Sequence, residues 1–196
     1  MNSSIARGSR CISFSENLSP KPMSVPSALW VVGASLLIAL CAQITIPLPF
    51  TPVPLTGSTF GVLYAAALLG PRRGLTSVGL YLVLGVLGFP FFAGASSGWH
   101  VLLGAPGGYL IGFIPASYLV GLLSERGWDR DPLTAFSQMM LGSFVILAFG
   151  LVVLSLYVSK GTLLAKGFYP FLIGDVLKSI LAAGLLPLGW RLTRKK

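Results

Sequence analysis

Six apolar stretches, most of them near the ~20 residues that cross a bilayer, dominate this chain. They run over about 27–46, 57–69, 74–92, 107–123, 136–158 and 168–190, the second being clearly short. Apolar residues make up 54% of the chain and charged residues only 10%, with a mean hydropathy of +0.83. An ordinary soluble domain carries about 25% charged residues. That leaves too little charged surface for a soluble globule, and a chain this apolar does not stay disordered. The expected fold is an all-α integral membrane protein, a bundle of six transmembrane helices. Its 24 glycines and 14 prolines follow no collagen period and fit closely packed or interrupted membrane helices.

Between the first two stretches lies Pro47-Leu48-Pro49-Phe50-Thr51-Pro52-Val53-Pro54. Prolines at this spacing exclude helix and leave an extended segment. Such backbone is tolerated at membrane depth only where protein buries it or it lines a cavity. The short second helix is therefore expected to begin below an inserted loop. Residues 1–25 form a polar, Ser-rich tail; a cytoplasmic tail is the preferred reading and an organellar transit peptide the alternative. The membrane domain is expected over 26–192, with a basic tail at 193–196.

The formal charge is +9. In a soluble protein that balance prompts a search for nucleic acid, but here the placement of the charges explains it. Arg7, Arg10 and Lys21 precede the first stretch, and Arg72 and Arg73 join the second to the third. Arg126 and Arg130 join the fourth to the fifth, and Arg191, Arg194, Lys195 and Lys196 follow the sixth. Lys160 and Lys166 alone fall in the opposite loops. Basic residues concentrate in cytoplasmic loops, so both termini are expected inside and nucleic acid is not an expected partner. Cys11, Cys41 and the single His100 do not make a disulfide framework or a metal site.

Asp175 and Lys178 are the only charged residues inside any stretch. An ionisable group in hydrocarbon costs about 2.5–3.5 kcal/mol on insertion scales, so it faces a cavity or a partner and marks function. Three residues apart, the two share one helix face. With the helix starting near Phe168, they lie roughly 10 Å and roughly 15 Å below its non-cytoplasmic end. A carboxylate beside an ammonium suits a ligand that offers both donors and an anionic or carbonyl group. The bland alternative is a self-neutralising pair that pins helix packing.

The loop after the third stretch contains Phe91, Gly94-x-Ser96-x-Gly98, Ser97, Trp99 and His100, followed by Gly107-Gly108-Tyr109. The Gly-x-Ser-x-Gly pattern formally matches a nucleophile elbow, and six helices with such a serine raise a rhomboid-like intramembrane serine protease. The only histidine lies four residues along the same loop, a poor arrangement for a base. The preferred reading is a tight loop whose serines, backbone N–H groups and rings contact a ligand, with Trp99 as an apolar cap. Gly104, Gly108, Gly112 and Ala116 recur every fourth residue, a packing stripe. Ser35 and Ala39, with Ala42 nearby, form a similar stripe on the first helix, open to internal packing or to a membrane partner. No phosphate-binding loop is present, so the chain does not hydrolyse ATP itself.

These residues resemble a known family. The carriers are the segment 46–57 (IPLPFTPVPLTG), Leu69-Gly70-Pro71-Arg72, and the segment 88–94 (GFPFFAG). They continue through the segment 107–113 (GGYLIGF) and the closing Gly174-Asp175-Val176-Leu177-Lys178. The chain resembles BioY, the biotin-specific substrate-binding (S) component of energy-coupling factor (ECF) transporters. The resemblance implies no enzyme and no cofactor, but high-affinity capture of biotin from outside by a multi-pass protein of the plasma membrane. It also implies association with a membrane T subunit and two cytosolic ATPases. Asp175 and Lys178 are then expected to contact the vitamin, with Tyr109, Gly108, Ser96 and Ser97 in the other pocket-forming region. Phe91 and Trp99 would cover its apolar rings. Docking of the partner is expected on the first helix, at Ser35, Ala39 and Ala42. An S component for another vitamin is the nearest alternative.

Overall fold

A glycine and a proline divide what would otherwise be one 29-residue helix, Ser58–Val86. Gly70 takes φ 78° and ψ 179°, and Pro71 follows it. Only glycine reaches that backbone without a Cβ clash, and proline lacks the N–H that the helical ladder needs. The arms on either side fold back on one another. A Cβ added to Gly74 would stand 2.9 Å from Cα of Ala66, whereas residues eight apart in a continuous helix are about 12 Å apart. The arms are the second and third of the expected stretches.

The computed structural model describes residues 25–193. In chain order these form α1 (Val25–Gln43), β1 (Thr45–Ile46), β2 (Leu55–Thr56) and the broken helix α2 (Ser58–Val86). Then come α3 (Trp99–Leu103), α4 (Gly107–Glu125), α5 (Pro132–Leu154), α6 (Leu163–Gly167) and α7 (Tyr169–Thr193). Counting α2 as two arms, six long helical segments make the bundle, as the apolar stretches require. Helices α4 and α5 and the segment Lys160–Leu188 are each long and apolar enough to cross a membrane. The expected N-terminal tail, except Val25, lies outside the described residues, and so do Cys11, Arg194, Lys195 and Lys196.

The chain departs from the expected boundaries where turns intervene. α1 ends at Gln43, before the expected Ile46, because residues 45–46 pair antiparallel with 55–56. The proline block is the loop of this hairpin. Val53 in it is only 4% exposed, so the loop inserts into the bundle. α5 starts four residues before the expected Phe136, with Asp131 extended and Pro132 opening the first turn, where proline's fixed φ suits a helix start. The five-residue helices α3 and α6 lie in loops and carry too little periodicity to be read from sequence.

Close packing follows the glycines. Added Cβ atoms would meet the Phe149 carbonyl oxygen at 2.6 Å from Gly108 and Cα of Ile146 at 3.1 Å from Gly112. Their stripe therefore seats α4 on α5. A Cβ on Gly121 would lie 2.4 Å from the backbone nitrogen of Pro71, so the end of α4 rests on the turn between the α2 arms. This contact gathers Arg72, Arg73, Arg126 and Arg130 at one end of the bundle. The hairpin loop, the 87–106 segment and Lys160 and Lys166 lie at the other. The burial pattern is that of a membrane bundle: Ser35, Ser77, Ser117, Gln138 and Ser143 are buried, while Leu29, Leu40, Val152 and Ile173 are at least two-thirds exposed.

Gly121→Leu is expected to lower the melting temperature by well over 5 °C, since overpacking costs about 1–3 kcal/mol and here the neighbour is backbone. Gly79→Ala, where an added Cβ meets nothing within 4 Å, is expected to be neutral or stabilising by about 0.5–1 kcal/mol. Thermal denaturation in detergent distinguishes the two.

Candidate functional site

The two charged residues of α7 occupy the interior. Lys178 Nζ stands 3.2 Å from Asp175 Oδ1 and donates to Thr59 Oγ1 of α2 at 2.7 Å. Asp175 is 2% exposed, and the hydroxyls of Ser143 (α5) and Thr59 lie against its carboxylate. Three helices thus meet at one ion pair. Removing two charges from water costs several kcal/mol per ion, and mutual attraction offsets this only when the remaining lone pairs and protons are also satisfied. An ammonium has three donors; the protein engages two of them, on Asp175 and Thr59.

The pair forms one wall of a cavity of about 370 Å³, within the range of small-molecule sites. Thr56, Ser58 and Thr59, from β2 and the start of α2, continue its polar side. Thr56 and Ser58 share a hydrogen bond of 2.6 Å. The hairpin register places them there: Leu55, next to Thr56, presses on Gly174, where an added Cβ would lie 3.0 Å from the leucine. Five aromatic rings, those of Tyr81, Phe92, Phe113, Tyr109 and Phe171, also line it. Tyr81 meets Phe92 edge-on at 5.6 Å and Phe113 at 6.5 Å. Tyr109 stacks on Phe171 at 5.3 Å, and its hydroxyl donates to the Gly167 carbonyl at 3.0 Å. Its phenol is therefore held by the protein, and its ring is what the cavity meets.

Of the residues singled out from sequence, Asp175, Lys178, Tyr109 and Ser96 line the cavity together. Gly108, Ser97, Phe91 and Trp99 do not line it. Gly108 is spent on the α4–α5 contact. Phe92 takes the place expected of Phe91: both rings lie against Tyr81, at 5.6 Å and 6.3 Å, but Phe92 lines the cavity and Phe91 does not. Trp99 is 70% exposed and caps nothing, whereas His100 and Val101 on the same short helix α3 face the cavity. Ser97 is half-buried outside the lining. The docking stripe is corrected too. Ser35, Ala39 and Ala42 are 1%, 7% and 0% exposed, since with Ile38 they form the inward face of α1. Sequence reading missed Thr59, Tyr81, Phe92 and Phe113. Their role depends on long-range pairing, and the one available cue was that Thr59 follows the proline block.

A family model described as the BioY family matches residues 16–195. The chain belongs to the BioY family. A "Biotin transporter BioY" of Thermotoga maritima is 39% identical over 148 residues, covering 75% of this chain and 85% of that one. Its namesake from Rhizobium etli is 34% identical over 163 residues, covering 79% and 87%. The fold is similar to a solved structure described as the S-component for biotin from an ECF-type ABC transporter, with TM-score 0.77 and 27% identity. That match covers 89% of this chain and 96% of the other. This BioY protein is thus a transporter and not an enzyme. The protease alternative finds no support, and Ser96 Oγ donates to the Ala93 carbonyl at 2.7 Å.

Removing one member of a buried pair strands the other's charge and costs about 3–5 kcal/mol. Lys178→Met alone is therefore expected to lower the melting temperature more than the double replacement Asp175→Asn/Lys178→Met. A thermal double-mutant cycle checks this, with a coupling of at least ~1 kcal/mol expected.

Proposed function

We propose that the protein captures biotin in this cavity, as the substrate-binding component of an ECF-type transporter. The observation that carries the reading is the Asp175–Lys178 pair, set in one wall of a cavity that is otherwise largely apolar and includes five aromatic rings. A ureido ring presents N–H donors and a carbonyl along one edge. Asp175 accepts from the N–H groups, and Lys178 donates to an oxygen of the ligand while neutralising Asp175. The fused rings and alkyl chain suit Tyr81, Phe92 and Phe113. The names of the relatives and of the solved structure support the same ligand.

Both termini lie in the cytoplasm on this reading. The four arginines at one end of the bundle and Lys160 and Lys166 at the other support it. The cavity then opens toward the outside of the plasma membrane. Energy comes from a membrane T subunit with two cytosolic ATPases. Since the small residues of α1 at 35, 39 and 42 are buried, the T subunit docks elsewhere on that helix. The surface that suits it is a groove of about 310 Å³ between α1 and the first arm of α2, with Gly33, Ala34 and Ala65 in its floor. An added Cβ on Gly33 meets nothing within 4 Å, and small residues of this kind let a second helix approach closely.

Tritiated biotin is expected to bind the purified protein, with lipoate, thiamine and riboflavin failing to compete. A charge-assisted hydrogen bond contributes about 1.5–3 kcal/mol, so Asp175→Asn and Lys178→Ala are each expected to weaken binding by about 10–150-fold. Full binding by both variants overturns the role of the pair. Displacement by another vitamin, or no binding by the wild type, overturns biotin. Gly33→Trp is expected to leave binding intact and abolish uptake into cells that express the complete transporter.

A further inference from the structure

Gln43, the last residue of α1, joins that helix to the roof of the cavity. Its Nε2 lies within donating distance of four carbonyls: Ala39 at 3.0 Å, Pro90 at 3.3 Å, Phe92 at 3.4 Å and Phe91 at 3.5 Å. Its Oε1 accepts from the backbone N–H of Ala95 at 2.9 Å. One side chain thus holds both ends of a turn that lies some 50 residues away in sequence. That turn carries Phe92, Ala93 and Ser96 of the cavity lining. It closes on itself through the Phe92 N–H to Ser96 carbonyl bond of 3.0 Å.

The turn is also under strain. Ala95 has φ 58°, the only positive φ at a non-glycine among the described residues. Side-chain-bearing residues avoid that region because Cβ crowds the backbone, and such strain persists only where the surroundings hold it. The N–H that this conformation presents is the one Gln43 takes. Gln43 itself is exposed, so its bonds compete with water or lipid headgroups and can open without unpacking the core.

We infer that Gln43 is a latch, a positioning residue that holds the 91–96 turn over the bound ligand and so sets how long the ligand stays. The inference rests on the proposal that this cavity is the biotin site. It concerns retention and not recognition, since no atom of Gln43 lines the cavity. It also ties the roof to α1, so a displacement of that helix is felt at the turn.

The test uses the full-length protein in detergent, with biotin dissociation followed after rapid dilution of the tritiated complex. Gln43→Ala is expected to speed dissociation by about 10-fold with a melting temperature within about 2 °C of the wild type. Gln43→Glu keeps the acceptor for Ala95 but loses the donor to three loop carbonyls, and is expected to be intermediate. Ala95→Gly relieves the strain, and in the Gln43→Ala background it is expected to recover part of the lost retention. Hydrogen exchange of the ligand-free protein is an independent arm, in which the Ala95 amide should exchange faster in Gln43→Ala. Unchanged dissociation in Gln43→Ala overturns the latch, and so does unchanged Ala95 exchange. Failure of the wild type to bind biotin overturns the ligand, and the exchange arm still decides the latch.

Discussion

An ammonium and a carboxylate 3.2 Å apart inside an apolar bundle constrain everything around them. Neither charge is tolerable there alone. Asp175 and Lys178 share a turn of α7, so each supplies the other's first partner at no cost in long-range order. The pair still needs further partners, and Thr59 and Ser143 supply them from α2 and α5. The three helices must therefore converge at one depth. The convergence props open the polar side of the cavity, because helices held by side-chain hydroxyls do not close into a leucine seam.

The aromatic part of the lining is set by packing and not by charge. Gly85 and Gly150 leave seats that a Cβ would fill, at 2.3 Å from the rings of Phe92 and Tyr109 respectively. These rings can then sit close against helix backbone while lining the cavity. The loops at the cavity end of the bundle are fastened by polar side chains reaching far along the chain: Tyr109 to Gly167, Tyr157 to Leu103, and Gln43 to the 90–95 turn. Loops held in this way keep their backbone groups satisfied at the edge of the membrane, where unpaired N–H and C=O groups are costly.

Much of this architecture was legible from the chain alone. Hydrocarbon as solvent imposes length and apolarity on every crossing segment, and that signal is local. The proline block excluded helix for the same local reason, and Asp175 and Lys178 stood out because charge is so costly in that setting. The motifs at 46–57, 107–113 and 174–178 also led to the correct family. Reading was weaker wherever a residue's role depends on which way it points. Phe91 and Phe92 are indistinguishable by type, and both pack against Tyr81, yet only Phe92 lines the cavity. Trp99, expected as a cap, is turned outward on a five-residue helix, while its neighbour His100 lines the cavity.

The sequence by itself determined the solvent, the number of crossing segments, the break at Gly70 and Pro71, and the ion pair around which the site is built. Each of these follows from the chemistry of one residue or one short run. Tertiary structure alone decided that Ser35, Ala39 and Ala42 pack inward and that Thr59 completes the ion pair. It also decided that Gln43 fastens a turn some 50 residues away. Those outcomes depend on helix rotation and on contacts between distant segments. The usual guide to helix rotation is an apolar stripe facing a polar one. In a membrane bundle both faces of a helix are apolar, and that guide is lost.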